Sequence, residues 1–123
     1  MQTCSGGCHC GRIKFEVRIP GEITVQCCSC SICQKSGYIH LIVPASRFKL
    51  LCGQKNLREY RFHTGVARHL FCEYCGIKSF YVPRSHPDSF SVNLNCLELP
   101  DEIEVSTEEF DGRNWSLNRD QLT

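Results

Sequence analysis

Seven cysteines in two groups carry the chemistry open to this chain. Cys8-His9-Cys10 is answered downstream by Cys72-Glu73-Tyr74-Cys75-Gly76, and Cys28-Ser29-Cys30-Ser31-Ile32-Cys33 places three thiols within six residues. Zinc held by four protein ligands is a closed, structural site, whereas zinc held by three keeps a position for water or substrate. Cys8, Cys10, Cys72 and Cys75 are therefore candidate ligands of a structural zinc. Cys28, Cys30 and Cys33 are candidates for an open, catalytic one. Thiolates one or two residues apart reach a single ion when the backbone between them turns tightly, and Gly7, Gly11 and Gly76 flank the first group. The competing reading keeps only Cys72-x-x-Cys75, as a redox pair. With four thiols available, His9 is expected to point outward.

Three thiolates make a zinc ion electron-rich and a poor Lewis acid toward carbonyls, but it still binds a further thiol and favours its thiolate. That suits activation of a small thiol for attack on an electrophilic carbon. Glutathione is the abundant candidate in a reducing compartment. Other readings of this cluster stay open. Cys30-x-x-Cys33 resembles a redox pair but lacks a βαβ context. Cys4, Cys27, Cys52, Cys96 or His40 would close the site as a fourth ligand, with Cys96 a candidate extra ligand of the second zinc. A cluster without metal is the third reading.

Eleven cysteines in 123 residues would suit a disulfide framework in a secreted chain. The odd count, the adjacent Cys27 and Cys28, and a Met1–Gly7 segment with neither a basic region nor an apolar run favour metal thiolates instead. The expectation is a soluble intracellular protein in a reducing compartment, cytoplasmic or nuclear. No stretch reaches the ~20 apolar residues that span a bilayer, so no membrane partner is expected. A net charge of +1 leaves no electrostatic footprint for nucleic acid. At this length, with 41% hydrophobic and 22% charged residues, residues 1–123 are expected to form one zinc-binding domain.

The elements that must position the thiols are short strands. Arg12–Ile19 alternates polar and apolar residues, Pro20-Gly21 turns the chain, and a second alternation through Ile23, Val25 and Cys27 leads into the three-thiol cluster. Tyr38–Val43, Leu57–Phe62, Ala67–Phe71, Ser79–Val82 and Phe90–Leu94 are further strands. One helical turn is expected at Ala45–Phe48, a turn at His63-Thr64-Gly65 and a loop at Pro83–Asp88. About seven short strands and no helix of confident length make the chain mainly β. The acidic stretch from Leu99 reads as a docked tail whose last residues fray.

The motifs Gly7-Cys8-His9-Cys10-Gly11, Cys28-x-Cys30-Ser31-x-Cys33 and Phe71-Cys72-x-x-Cys75-Gly76 together resemble the glutathione-dependent formaldehyde-activating enzyme family. The resemblance runs from about Gly7 to about Trp115. It is closer still to the family's animal branch, centromere protein V and its paralogues, and Val43–Leu51, Ser79–Ser85 and Thr107–Gly112 are supporting stretches. It implies an Mss4-like fold of several short antiparallel sheets and two zinc ions per chain. It assigns Cys8, Cys10, Cys72 and Cys75 to the structural ion and Cys28, Cys30 and Cys33 to the catalytic one. The reaction it implies joins formaldehyde and glutathione to S-hydroxymethylglutathione, formally a carbon–sulfur lyase in reverse. A module whose zincs merely fold it for protein interaction is the alternative, because fold alone does not decide function.

Glutathione carries two carboxylates, for which Lys35, Arg47, Arg68 and Arg84 are basic candidates. His40, His63, His69 and His86 titrate near neutral pH when unperturbed, but none is assigned a catalytic role. Tyr38, Tyr60, Phe71, Phe80 and Trp115 are expected in the core.

Overall fold

A computed structural model of the chain describes residues 1–29, 31–62, 67–83 and 88–110. The strands are β1 (Gln2–Gly7), β2 (Lys14–Ile19), β3 (Glu22–Cys28), β4 (Ile39–Pro44), β5 (Phe48–Cys52), β6 (Leu57–Tyr60), β7 (His69–Cys72), β8 (Phe80–Tyr81), β9 (Ser89–Asn93) and β10 (Glu104–Phe110). A short helix, α1, spans Ser31–Ser36, and 3₁₀ turns occupy Ala45–Arg47, Gln54–Asn56 and Leu94–Cys96. The strands form three sheets, in the orders β1-β2-β5, β10-β3-β4-β9-β8 and β6-β7. The protein is thus mainly β, as expected, though the described residues hold ten strands where about seven were expected.

Alternation explains the first sheet. Phe15, Val17 and Ile19 of β2 are buried while Lys14 and Arg18 face out, the period of a strand with one face on the core. β2 begins at Lys14 and not Arg12, because residues 8–13 are drawn into a turn that holds two cysteines. The sheet packs on the second through four phenylalanines. Phe15 lies 5.1 Å from Phe48 and 5.6 Å from Phe80, and Phe48 stacks on Phe90 at 4.4 Å. Offset and edge-on ring pairs of this kind contribute about 0.5–1.5 kcal/mol each beyond area burial.

The five-stranded sheet has two unlike faces. Register aligns Cys27 with Ile39, Leu41 with Val92, Val92 with Phe80, and Val43 with Phe90, giving an apolar face toward the phenylalanines. The opposite face carries Gln26 across from His40, His40 across from Asn93, and Ser91 across from Tyr81. His40, Tyr81, Ser91 and Asn93 are nevertheless all buried. A polar row buried on one face of a sheet must be covered and hydrogen-bonded. Here Tyr38 and Cys33 of α1 take part in covering it.

Three expectations are corrected. The segment after Leu99 is not only a docked tail: β10 pairs parallel with β3 from Glu104↔Glu22 to Phe110↔Cys28, through backbone bonds that its exposed Glu104, Glu108 and Glu109 do not advertise. A six-residue helix does form, and it carries Cys33. Tyr60 is 52% exposed, stacking on Phe62 at the surface and not in the core. The turn at His63-Thr64-Gly65, residues 84–87 of the loop expected at Pro83–Asp88, and Trp115 lie outside the described residues.

Replacing Phe15 with Ala removes the ring that bridges both sheets, and the expected cost is about 3–5 kcal/mol. Urea unfolding of the metal-loaded protein measures it; a loss below about 1 kcal/mol would contradict this account of the core.

Candidate metal centre

Two tight turns build the four-thiol cluster. Cys8 follows β1 directly, its N–H donating to Ile13 O at 3.1 Å while the Ile13 N–H donates back to Cys8 Sγ at 3.3 Å. Cys72 ends β7, its N–H donating to Ile77 O at 3.1 Å, and the Gly76 N–H closes the turn on Cys72 O at 2.9 Å. Gly11 and Gly76 have φ of 84° and 75°, in the left-handed region that favours glycine, so each chain can reverse immediately after its second cysteine.

The four sulfurs converge. Cys10 Sγ lies 3.6 Å from both Cys8 Sγ and Cys72 Sγ, and all four ligand atoms of Cys8, Cys10, Cys72 and Cys75 fall within 4.8 Å of one another. A tetrahedral zinc with Zn–S bonds of about 2.3 Å places its sulfurs about 3.8 Å apart, so the cluster matches the ion closely. These separations are also far beyond a disulfide bond of about 2.0 Å. The donor set, four thiols on two turns, fits a structural zinc and joins the start of the first sheet to the β6-β7 pair.

The electrostatics divide the thiols, favouring the thiolate at Cys10 and Cys75 and the thiol at Cys8. The Arg12 backbone N–H, then its guanidinium, pull the Cys10 thiol down to about 6. Burial pushes Cys8 up to about 11, the opposing backbone N–H groups notwithstanding. Burial also opposes ionisation of Cys75, but the backbone N–H groups of Cys10 and Ile77 and the neighbouring thiols outweigh it and lower its pKa. Arg12 stacks its guanidinium 4.0 Å over the Tyr74 ring, so a cation is held against an anionic cluster. His9 is exposed, consistent with pointing outward.

The described members of the second group, Cys28 and Cys33, lie at the polar face of the five-stranded sheet. Cys28 ends β3 and is half-buried, Cys33 sits on α1 and is 4% exposed, and Cys30 lies outside the described residues. Among the described residues only the four-thiol cluster gathers three or more ligand atoms. Cys33 Sγ does have a partner in His40 Nε2 at 3.0 Å. The other ring nitrogen of His40 faces Ser91 Oγ at 3.0 Å and the Tyr81 hydroxyl at 3.2 Å, while the Tyr38 hydroxyl donates to Ser91 O at 2.6 Å. Cys96, in its 3₁₀ turn, has its pKa raised by burial and by the nearby Cys75. Cys4 is buried on β1 and Cys52 is exposed on β5, its thiol directed at Arg12 O.

Of the basic candidates, Lys35 is exposed on α1, Arg47 contacts Met1, Arg68 pairs with Glu59 at 2.5 Å, and Arg84 lies outside the described residues, as do His63 and His86. The sequence reading did not name Lys78. Its Nζ lies 3.9 Å from the Tyr81 ring centre, 4.9 Å from that of Tyr38 and 2.7 Å from His69 Nδ1. His69 in turn stacks on Tyr81 at 4.9 Å. The signal for Lys78 was its place just beyond the second cysteine turn, visible only once that turn is known to lead to this face.

A family model described as glutathione-dependent formaldehyde-activating enzyme matches residues 3–113. A crystal structure of a Rhodobacter sphaeroides protein is similar to this chain at 34% identity and a TM-score of 0.72, covering 85% of this chain and 99% of that one.

Replacement of Cys8 or Cys72 by Ser is expected to remove one equivalent of zinc and several kcal/mol of stability, since metal binding here is folding energy. Metal analysis and thermal unfolding check both. Zinc uptake at neutral pH should also release fewer than four protons from this cluster, because Cys10, at about 6, is already ionised, whereas Cys8, at about 11, must give up its proton. Affinity should accordingly rise with pH. Proton release in weakly buffered Cys30→Ser protein provides the count.

Proposed function

The chain belongs to the glutathione-dependent formaldehyde-activating enzyme family, and we propose that it forms and breaks the adduct of glutathione, or another small thiol, with formaldehyde. The observation that carries this is the buried polar face of the five-stranded sheet, where Cys33 meets His40 next to Tyr38, Tyr81 and Lys78. Such a concentration of titratable groups in one buried region is how catalytic sites are built. The four-thiol cluster, by contrast, uses all its ligands and leaves no vacant position.

In this reading Cys28, Cys30 and Cys33 hold a second zinc. The donor set fits, being three thiols at short spacing with Cys28 at a strand end and Cys33 fixed on α1. When bound, that ion would hold a substrate sulfur as its thiolate. The chain's own residues do the rest. His40 fixes the Cys33 side chain, and the rings of Tyr38 and Tyr81 wall the face and exclude water. Lys78 offers an ammonium to a glutathione carboxylate. The thiolate sulfur adds to the carbonyl carbon, a carbon–sulfur bond forms as the C=O π bond opens, and the alkoxide takes a proton from solvent. The reverse sequence releases formaldehyde.

This reading puts the chain in the centromere protein V branch of the family, with the stretches Val43–Leu51 and Ser79–Ser85 in its support. Residues 1–123 act as one zinc-binding domain in a reducing compartment, the cytoplasm or nucleus, where free thiols persist. No helix among the described residues is long and apolar enough to cross a membrane.

Exchange between formaldehyde and glutathione, followed by NMR, tests the proposal. The zinc-loaded protein should accelerate it, and Cys30→Ser should return it to background with one zinc lost and the fold kept. Equal rates with and without the wild-type protein would leave a zinc-folded interaction module as the better account. Lys78→Met should raise KM for glutathione about tenfold, or ~1.4 kcal/mol, the scale of one charge-assisted hydrogen bond. KM for uncharged 2-mercaptoethanol should stay within twofold; parallel changes for both thiols would remove Lys78 from carboxylate binding.

A further inference from the structure

The buried pair of Cys33 and His40 leads beyond the three-cysteine reading, on which it rests. We infer that His40 Nε2 is the fourth protein ligand of the second zinc in the absence of thiol, and that it occupies the position the substrate sulfur takes.

Four observations carry this. First, the separation is close: one thiolate and one imidazole on a tetrahedral zinc place S and N about 3.6 Å apart, from bonds of about 2.3 and 2.1 Å. Cys33 Sγ and His40 Nε2 are 3.0 Å apart, so an ion between them requires an opening of only about half an ångström. Second, the far side of the ring is prepared. A metal-bound histidine almost always donates its other N–H to an oxygen, which fixes the tautomer and the ring orientation. Ser91 Oγ at 3.0 Å and the Tyr81 hydroxyl at 3.2 Å stand at Nδ1 to accept that bond, which leaves the Nε2 lone pair directed at the Cys33 thiol.

Third, the ring is held. Tyr38 packs on it at 4.6 Å and Tyr81 at 5.6 Å, and the imidazole is 6% exposed, so it meets Cys33 out of competition with bulk water. Fourth, the ligand set is reached from adjoining elements. His40 lies on β4 directly across from Gln26 of β3, two residues before Cys28, while Cys33 sits on the helix that follows β3. Three thiolates with one imidazole form an established zinc ligand set. Imidazole is neutral, so its departure for an incoming thiolate leaves the other three ligands in place. The chain would thereby keep its second zinc closed until a thiol arrives.

X-ray absorption at the zinc edge decides this with His40 itself left unchanged. The reference is Cys30→Ser, whose remaining zinc is the four-thiol site. The difference between wild type and reference should show the outer-shell scattering of one imidazole. Addition of glutathione should replace it with a fourth sulfur. His40→Ala, loaded with cobalt(II), should differ from wild type in its visible bands without glutathione and match it with glutathione. A second zinc in the wild type with no imidazole scattering overturns the ligand, and imidazole that persists at saturating glutathione overturns the exchange. A wild type that binds no more zinc than Cys30→Ser removes the second site itself. Zinc content separates that failure from the other two.

Discussion

Four sulfurs that must meet at one point constrain much of this fold. Cys8 and Cys10 leave the first strand, Cys72 and Cys75 leave the seventh, and their convergence places the ends of two different sheets within a few ångströms of each other. Short strands alone would hold such an arrangement poorly, because a sheet of two strands is marginal in water. The β6-β7 pair is such a sheet, and it is anchored where β7 runs into the cluster. The same anchor sets the chain from Cys75 to Phe80, which brings Lys78 onto the polar face of the five-stranded sheet.

That sheet divides stability from chemistry by strand parity. Every second residue of β3, β4, β8 and β9 faces the phenylalanine core; the residues between carry Gln26, His40, Ser91, Asn93 and Tyr81. Burying so many polar groups costs free energy unless each finds a partner. His40, Ser91 and Tyr38 do so in a connected network. A one-residue slip of β4 would turn His40 into the core and Leu41 onto the polar face, so the register of one strand specifies both at once.

Much of this was legible in the residues, and the gaps have physical causes. The four thiols that the fold brings together could all be picked out, because metal geometry restricts cysteine spacing and leaves a glycine beside each turn. β2 and β3 could be read because one face of each is buried. β10 could not, since it is held by its backbone ladder while Glu104, Val105 and Glu108 remain exposed, and no side-chain period marks it. α1 is too short for a helical period to show. His40 was recognisable only as one of several candidate fourth ligands, because its significance lies in contacts with Cys33, Ser91 and Tyr81 that come from three other parts of the chain.

The parallel pairing of β10 with β3 also bears on how the chain is made. Every other strand pair of the five-stranded sheet is antiparallel, and Glu22 waits for Glu104, so this ladder closes one of the longest loops in the fold. During synthesis the outer edge of β3, with Cys27 and Cys28 at its end, is exposed until β10 has emerged. The strand that carries Cys27 and Cys28 is therefore among the last to be covered, and the nascent protein passes through a stage in which an open sheet edge and unprotected cysteines occur together. Such a stage is vulnerable to strand addition by a neighbouring chain and to oxidation, so the closing of this ladder protects a sheet edge and two thiols at once.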